Sequence, residues 1–197
     1  MPKRLLDIVL TVIAAPLWVP IVVVTAVILA IELRGNPIFL QERVGLHGKP
    51  FTMYKLRTMR HPKPGQEDHY TVDDFGSFVF SPEGQANPRI TRVGGFARKT
   101  SIDELPNLIN VLKGEMSIVG PRPEIPEIVS QYPAEYHRRH SVRPGIAGLA
   151  QASGRSDLTY DETVTYDLRY VDNHSVLTDI SILLKTVRAV VTGAGAR

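Results

Sequence analysis

The sequence predicts an α+β fold, mostly helical, with a re-entrant membrane helix–break–helix at the N-terminus and a small β element among the later helices. Three observations predict it. An uncharged run from Ile8 to Ile31 is interrupted by Pro16 and Pro20. Residues 36–59 hold two short strand-like stretches around a glycine-containing turn. From residue 95 onward, several stretches place apolar residues at helical spacing. The chain therefore divides into a membrane segment, 1–34, and a part of soluble character, 35–197.

The N-terminal run is about 24 residues long, and as a straight helix it would reach roughly 36 Å, enough to cross a ~30 Å hydrocarbon core. It is too long for the apolar part of a cleaved signal peptide. A simple span is disfavoured for two reasons. A proline inside a helix removes a hydrogen bond and kinks the chain, so each arm is only about 8–12 residues, or ~12–18 Å. Lys3 and Arg4 precede the run and Arg34 and Arg43 follow it. Positive charge marks one side of a bilayer, so cations at both ends favour a segment that enters and returns. Pro16 marks the break, and Pro20 offers a second one. Asp7 is unusual in such a segment, and Lys3 or Arg4, one turn away, are its expected partners.

Beyond Arg34 the elements follow in order. Two strands flank a turn at Gly45–Gly48. Residues 60–92, rich in Pro, Gly, Asp and His, read as a long, mobile surface loop. A helix over 95–113 is interrupted near Ser101 and ends at Gly114. Residues 116–126 form a short strand and a rigid proline turn. Residues 131–140 are helical and basic, and the His137–Arg138–Arg139–His140 stretch reads as solvated surface. Residues 142–155 are loop with a short strand, and two helices occupy about 160–191. In the last, Leu177, Ile180, Leu183, Leu184, Val187 and Val191 fall at helical spacing with Lys185 and Arg188 off the stripe. That stripe suits either a membrane surface or a core-facing helix.

Composition narrows the chemistry. The 197 residues are 43% apolar and carry a net charge of +3, enough for a sizeable core and a mild bias toward anionic partners. With no cysteine, a disulfide framework and a cysteine metal site are excluded. No phosphate loop of the P-loop kind, no GxGxxG after a strand and no HExxH is present. Nucleic-acid binding is not expected, since basic residues are not interleaved with aromatics.

Two groups of residues carry candidate chemistry. The first is the carboxylate pair Asp103–Glu104. Adjacent acids divide labour well, one attacking a phosphorus centre while the other holds a metal. The same residues have a plain structural reading, because Ser101 and Glu104 have capping-box spacing at a helix start. The second group is cationic: Lys55 and Arg57, which alternate along a strand and so share one face, Arg98, Arg122 between two prolines, Arg143 beside Pro-Gly, and Arg155 after a glycine. Arginine matches phosphate oxygens bidentately, and several arginines on rigid turns suit a polyanionic ligand.

The stretches QERVGLHGKPFTMYKLRTM, NPRITRVGGFARKTSIDELPNLINVLKGEMSIVGPRPE and VRPGIAGLAQASGR together resemble the bacterial sugar transferase family, the small monotopic phosphoglycosyl transferases. With the N-terminal run they cover most of the chain. The resemblance implies a re-entrant helix at the cytoplasmic face of the bacterial inner membrane, amphipathic helices at the interface, and a cytoplasmic catalytic domain over 35–197. It implies that Asp103 is a nucleophile and that Glu104 helps hold Mg²⁺. The reaction implied moves a sugar 1-phosphate from a UDP-sugar to polyprenol (undecaprenyl) phosphate with release of UMP, through a phospho-sugar aspartyl intermediate. By the same likeness Lys55, Arg98 and Arg122 suit phosphate contacts, and Arg143 and Arg155 lie toward the nucleotide end. Expected partners are the UDP-sugar donor, the polyprenol phosphate acceptor, phospholipid and, in a homo-oligomer, further copies of the chain.

The sequence departs from the family pattern in two places. Ala15–Pro16 stands where Ser-Pro is common, so the hydroxyl that would satisfy a freed backbone carbonyl is missing. Asn87 stands where an aspartate is usual. Two rival functions share the same residues: a membrane-bound nucleotide-sugar hydrolase and a non-catalytic membrane scaffold.

Overall fold

The computed structural model describes residues 2–62, 72, 74–79, 87–153 and 158–192. The N-terminal pair comprises α1 (Pro2–Ile13) and α2 (Ala15–Leu33). Only Ala14 separates them, at φ −79° and ψ −9°, within the right-handed helical region. Pro16 lies in the first turn of α2, where a missing N–H costs nothing. Pro20 lies inside α2 and does not end it, so the expected second break is absent and the arms are unequal, 12 and 19 residues. The carbonyls closing α1 need donors. The Trp18 indole supplies one, its Nε1–H donating to the Thr11 carbonyl at 3.1 Å. An indole N–H thus serves a carbonyl at a break that lacks the serine common in the family pattern.

Both outer ends of this pair are fastened to the same body. Near the start of α1, Lys3 pairs with Asp179 at 2.5 Å. Arg4 donates to the Val111 and Leu112 carbonyls at 2.5 and 3.0 Å, a cation on carbonyls at a helix C-terminus. Asp7, 5% exposed, accepts from the Ser117 hydroxyl at 2.8 Å and the Ile118 N–H at 3.2 Å. Its partners are therefore strand groups and not Lys3 or Arg4, both of which are engaged elsewhere. At the far end of α2, Glu32 accepts the Arg92 N–H at 2.9 Å and the Val93 N–H at 3.2 Å. Between these anchorages α2 is exposed along Leu17, Val23, Val24, Val27 and Ile31, and it is long and apolar enough to cross a membrane. A pair that leaves and rejoins one body has the re-entrant arrangement expected from its flanking charges.

Strands β1 (Ile38–Val44) and β2 (Pro50–Leu56) form an antiparallel hairpin with Ile38 opposite Leu56 and Val44 opposite Pro50. Helix α3 (Arg92–Lys99) starts at Thr91, whose hydroxyl accepts the Gly94 N–H. A single 3-10 turn, Ile102–Glu104, leads into α4 (Asn107–Lys113), so the interruption near Ser101 is present. Gly114 ends α4 at φ 85°, the left-handed position that glycine adopts without strain. The fully buried Asn110 docks α4 on β2, accepting the Tyr54 N–H at 3.1 Å and donating to the Thr52 carbonyl at 2.7 Å.

Strand β3 (Ser117–Val119) pairs in parallel with β4 (Gly145–Ala147). Their backbones approach so closely that a Cβ on Gly145 would meet the Gly120 nitrogen at 2.0 Å. Three short pieces complete this region: α5 (Pro126–Val129), a 3-10 segment over Ala134–Ser141 and α6 (Leu149–Ser153). Helices α7 (Tyr160–Asn173) and α8 (Val176–Thr192) close the fold, α7 opening with a Thr159–Glu162 capping box.

One core gathers Val44, Ile125, Ile128, Tyr132, Tyr136 and Tyr160, with Phe75 and Phe78 from the loop packed on it. A second joins Val119, Ala147, Tyr170 and Ile182. The expected loop thus contributes to the core through its described residues, while 63–71, 73 and 80–86 lie outside them. Helix α8 turns Asp179 and Ile182 inward and leaves Leu177, Ile180, Leu184 and Val187 exposed. Those four exposed residues show that the stripe is not core-facing as a whole, although Leu183 packs inward. An exposed apolar face of this kind suits a membrane surface or another partner.

Candidate active site

The carboxylate pair is placed by a bend. Ser101 adopts φ 57° and ψ 19° and its side chain caps nothing. A non-glycine residue in that region is uncommon, and it rules out the capping-box reading, which needs extended backbone at the cap. The bend turns α3 into the 3-10 turn that carries Asp103 and Glu104. Strand β2 supplies Lys55, and the Pro121–Arg122–Pro123 turn after β3 supplies Arg122.

Glu104 is clamped. Its Oε1 accepts from Lys55 Nζ at 2.8 Å and Arg122 Nη2 at 2.6 Å, and its Oε2 lies 3.3 Å from Arg122 Nη1. Burial alone would raise its pKa, but the charges and hydrogen bonds of Arg122 and Lys55 outweigh burial and hold the carboxyl well below the usual range. Burial also pulls Lys55 below the ordinary lysine range, against the pull of Glu104.

Asp103 is the opposite case. It is 8% exposed, yet among the described residues it has no hydrogen-bond donor. Burial, then the neighbouring Glu104 charge, push its carboxyl up to about 6, while Lys55, Arg98 and Arg122 pull it back. One acid is locked and fully ionised. The other is desolvated, unengaged and still mostly ionised at neutral pH, as a carboxylate nucleophile needs to be.

The remaining cations separate. Arg98 acts on Asp103 through charge and forms no ion pair among the described residues, its Nη1 lying 3.6 Å from the Met59 sulfur. Arg57 stands just beyond β2 and meets His61 at 2.6 Å, so it does not join Lys55 at the acids. Arg143 donates from Nε to the Gly114 carbonyl at 2.9 Å, closing the end of α4. Arg155 lies outside the described residues. Among the described residues no group of three or more metal-ligating side chains occurs.

Sequence reasoning missed Arg139. The stretch read as solvated surface is a 3-10 segment in which Arg139 is 2% exposed. It pairs with Asp167 at 2.5 Å and donates to the Tyr132 and Tyr160 hydroxyls and to the Arg122 carbonyl. A signal existed: Tyr132, Tyr136 and Arg139 are spaced i, i+4, i+7, one helical face, and both tyrosines are buried.

Comparison with known proteins decides the family. The model of the bacterial sugar transferase family matches residues 1–193. The chain belongs to the bacterial sugar transferases. This member is 42% identical, over 99% of its length, to a UDP-N-acetylgalactosamine-undecaprenyl-phosphate N-acetylgalactosaminephosphotransferase of Aeromonas hydrophila, of which it covers 45%. It is 41% identical, over 99% of its length, to the galactosyl transferase CpsE of Streptococcus agalactiae, of which it covers 43%. The chain thus spans under half of these two relatives. It covers 89% of the Bacillus subtilis sugar transferase EpsL, at 39% identity over 98% of its own length. The sugar transferase's doubly anchored, exposed N-terminal pair is an arrangement for monotopic membrane association.

Proposed function

We propose that the protein transfers a sugar 1-phosphate from a UDP-sugar to polyprenol phosphate, releasing UMP, with residues 35–197 forming the catalytic domain on the cytoplasmic face of the membrane. The observation that carries this reading is the contrast within one dipeptide: Glu104 locked between Lys55 and Arg122, and Asp103 buried beside it with no donor among the described residues. The names of relatives support the substrate classes. They include transferases of N-acetylgalactosamine phosphate, galactose phosphate and glucose 1-phosphate to undecaprenyl phosphate.

In the first half-reaction an Asp103 oxygen attacks the phosphorus bearing the sugar. An aspartyl–phosphorus bond forms, the bond to the bridging oxygen breaks, and UMP leaves with that electron pair. In the second, a polyprenol phosphate oxygen attacks the same phosphorus and Asp103 leaves as carboxylate. Lys55 and Arg122 hold Glu104 ionised beside the reacting phosphate, and Arg98 offers an uncommitted cation to a phosphate oxygen. The donor set suits Mg²⁺, which is commonly held by one or two carboxylates together with substrate phosphates. Glu104 has lone pairs beyond those its cations use, and Asp103 lies next to it. When bound there, the ion would neutralise diphosphate oxygens and stabilise the leaving group.

The test is UMP release by the detergent-purified chain with Mg²⁺ and UDP-N-acetylgalactosamine, UDP-galactose or UDP-glucose, with and without undecaprenyl phosphate. The reading expects one stoichiometric burst without lipid and turnover with it. Sustained lipid-independent turnover would make the protein a hydrolase, and no release from any donor would favour a scaffold.

A further inference from the structure

The Pro121–Arg122–Pro123 turn presents Arg122 to Glu104, and two of its three residues lack an N–H. Its position therefore rests on its carbonyls, and each has its own donor. Pro121 accepts from the Gly145 N–H at 2.8 Å, Arg122 from Arg139 Nη2 at 2.9 Å and Pro123 from Arg43 Nη1 at 3.0 Å. Two of these donors are guanidinium groups that also meet carboxylates. Arg43 lies 3.5 Å from Glu124, and Arg139 lies 2.5 Å from Asp167 with both side chains at most 2% exposed. A fully buried ion pair is a poor source of stability, because desolvating both ions offsets most of their attraction. What Arg139 supplies, and an apolar side chain could not, is the hydrogen bond to the Arg122 carbonyl.

We propose that Arg139, itself oriented by Asp167, is a positioning residue for the transfer reaction: it fixes the Arg122 backbone and thereby the direction in which the Arg122 guanidinium meets Glu104. This rests on the proposed roles of Asp103, Glu104 and Arg122. Arg139 lies buried, hydrogen-bonded to Tyr132, Tyr160 and Asp167, and its link to the site is the bond to the Arg122 carbonyl.

A double-mutant cycle on the full chain tests it, with Arg139→Gln, Arg122→Gln and the double variant assayed on the three UDP-sugars with undecaprenyl phosphate. Misplacing a reacting group by about 1 Å costs on the order of 100-fold in rate, so Arg139→Gln should lower kcat by ~10–100-fold. Donor KM should stay within about threefold, since the turn holds the transition state more than the bound nucleotide. The double variant should be no slower than Arg122→Gln, because residues acting through one another are not additive. If Arg139→Gln does not fold, the same cycle is run with Arg139→Lys, which keeps the charge beside Asp167. Multiplicative losses, or an unchanged kcat in the single variant, overturn the positioning role alone. Full activity in Arg122→Gln overturns the underlying reading of the site.

Discussion

The Arg122 guanidinium meets the Glu104 carboxylate with both terminal nitrogens, at 2.6 and 3.3 Å, while Lys55 approaches from β2 at 2.8 Å. This pairing makes Glu104 a poor nucleophile, since its charge is already shared between two cations. It also leaves Asp103 as the member of the pair whose carboxylate has no hydrogen-bond donor among the described residues. The contrast within the dipeptide is therefore a consequence of where two distant cations are delivered.

Replacing Asp103 with asparagine should abolish transfer and stabilise the fold. The sign follows from the raised pKa. The carboxyl moves from 3.8 to about 6 on folding, so over that window the native state binds more protons than the unfolded state and stability falls as pH rises. Above about 6 the penalty is complete, on the order of 2–3 kcal/mol. Asparagine removes it at nearly constant volume, so thermal unfolding at neutral pH should shift upward by several degrees while UMP release disappears. Full activity in this variant would sink the nucleophile assignment.

Activity of the unmodified protein should fall on acidification with a midpoint near 6, because the attacking carboxylate must be ionised. Glu104 is held ionised far below that range and adds no second limb there. Single-turnover UMP release between pH 5 and 8 checks this. A flat profile would mean that Asp103 titrates outside the window or does not attack.

The two acids were legible in the sequence because they are neighbours, and the interruption of the helix at Ser101 was legible because helical spacing fails there. Their partners were not. Lys55 and Arg122 stand 49 and 18 residues from Glu104, and nothing in a single chain's spacing distinguishes them from Arg57 or Arg143. Arg143 looked similar to Arg122, an arginine beside a stiff proline, yet it goes to the carbonyl end of α4. Its fate was decided by a helix terminus that needs a cation. The stretch around Arg139 misled for a different reason. Four polar side chains in a row read as solvated, although one of them, Arg139, shares the buried face of Tyr136 in the Ala134–Ser141 segment.

Leu184 and Val187 lie 67% and 59% exposed on α8, and Lys3 ties that helix through Asp179 to the start of the membrane pair. The stripe should therefore contact lipid. Leu184→Asp should weaken association with vesicles, since an apolar side chain of this size contributes roughly 1.5–3 kcal/mol when buried and a charge reverses the sign. The variant should keep its thermal stability in detergent and release less UMP from vesicle-bound undecaprenyl phosphate. Unchanged sedimentation with vesicles would remove α8 from the interface.

Trp18 offers the sharpest test of the N-terminal break. In hydrocarbon no water replaces a lost donor, so the carbonyls that close α1 must be satisfied by the protein. Pro16 cannot donate to Val12, and the Trp18 indole serves Thr11. Phenylalanine at position 18 keeps an aromatic ring and removes the N–H. An unsatisfied buried acceptor costs about 1–3 kcal/mol, which in a chain of this size lowers the unfolding temperature by roughly 2–10 °C. The loss should be specific: Trp18→Phe should unfold earlier in detergent, and kcat measured below that temperature should hold, because Asp103 and its cations are anchored elsewhere. Unaltered unfolding would mean that the carbonyl is satisfied without the indole, and the break would then rest on Ala14 and Pro16 alone.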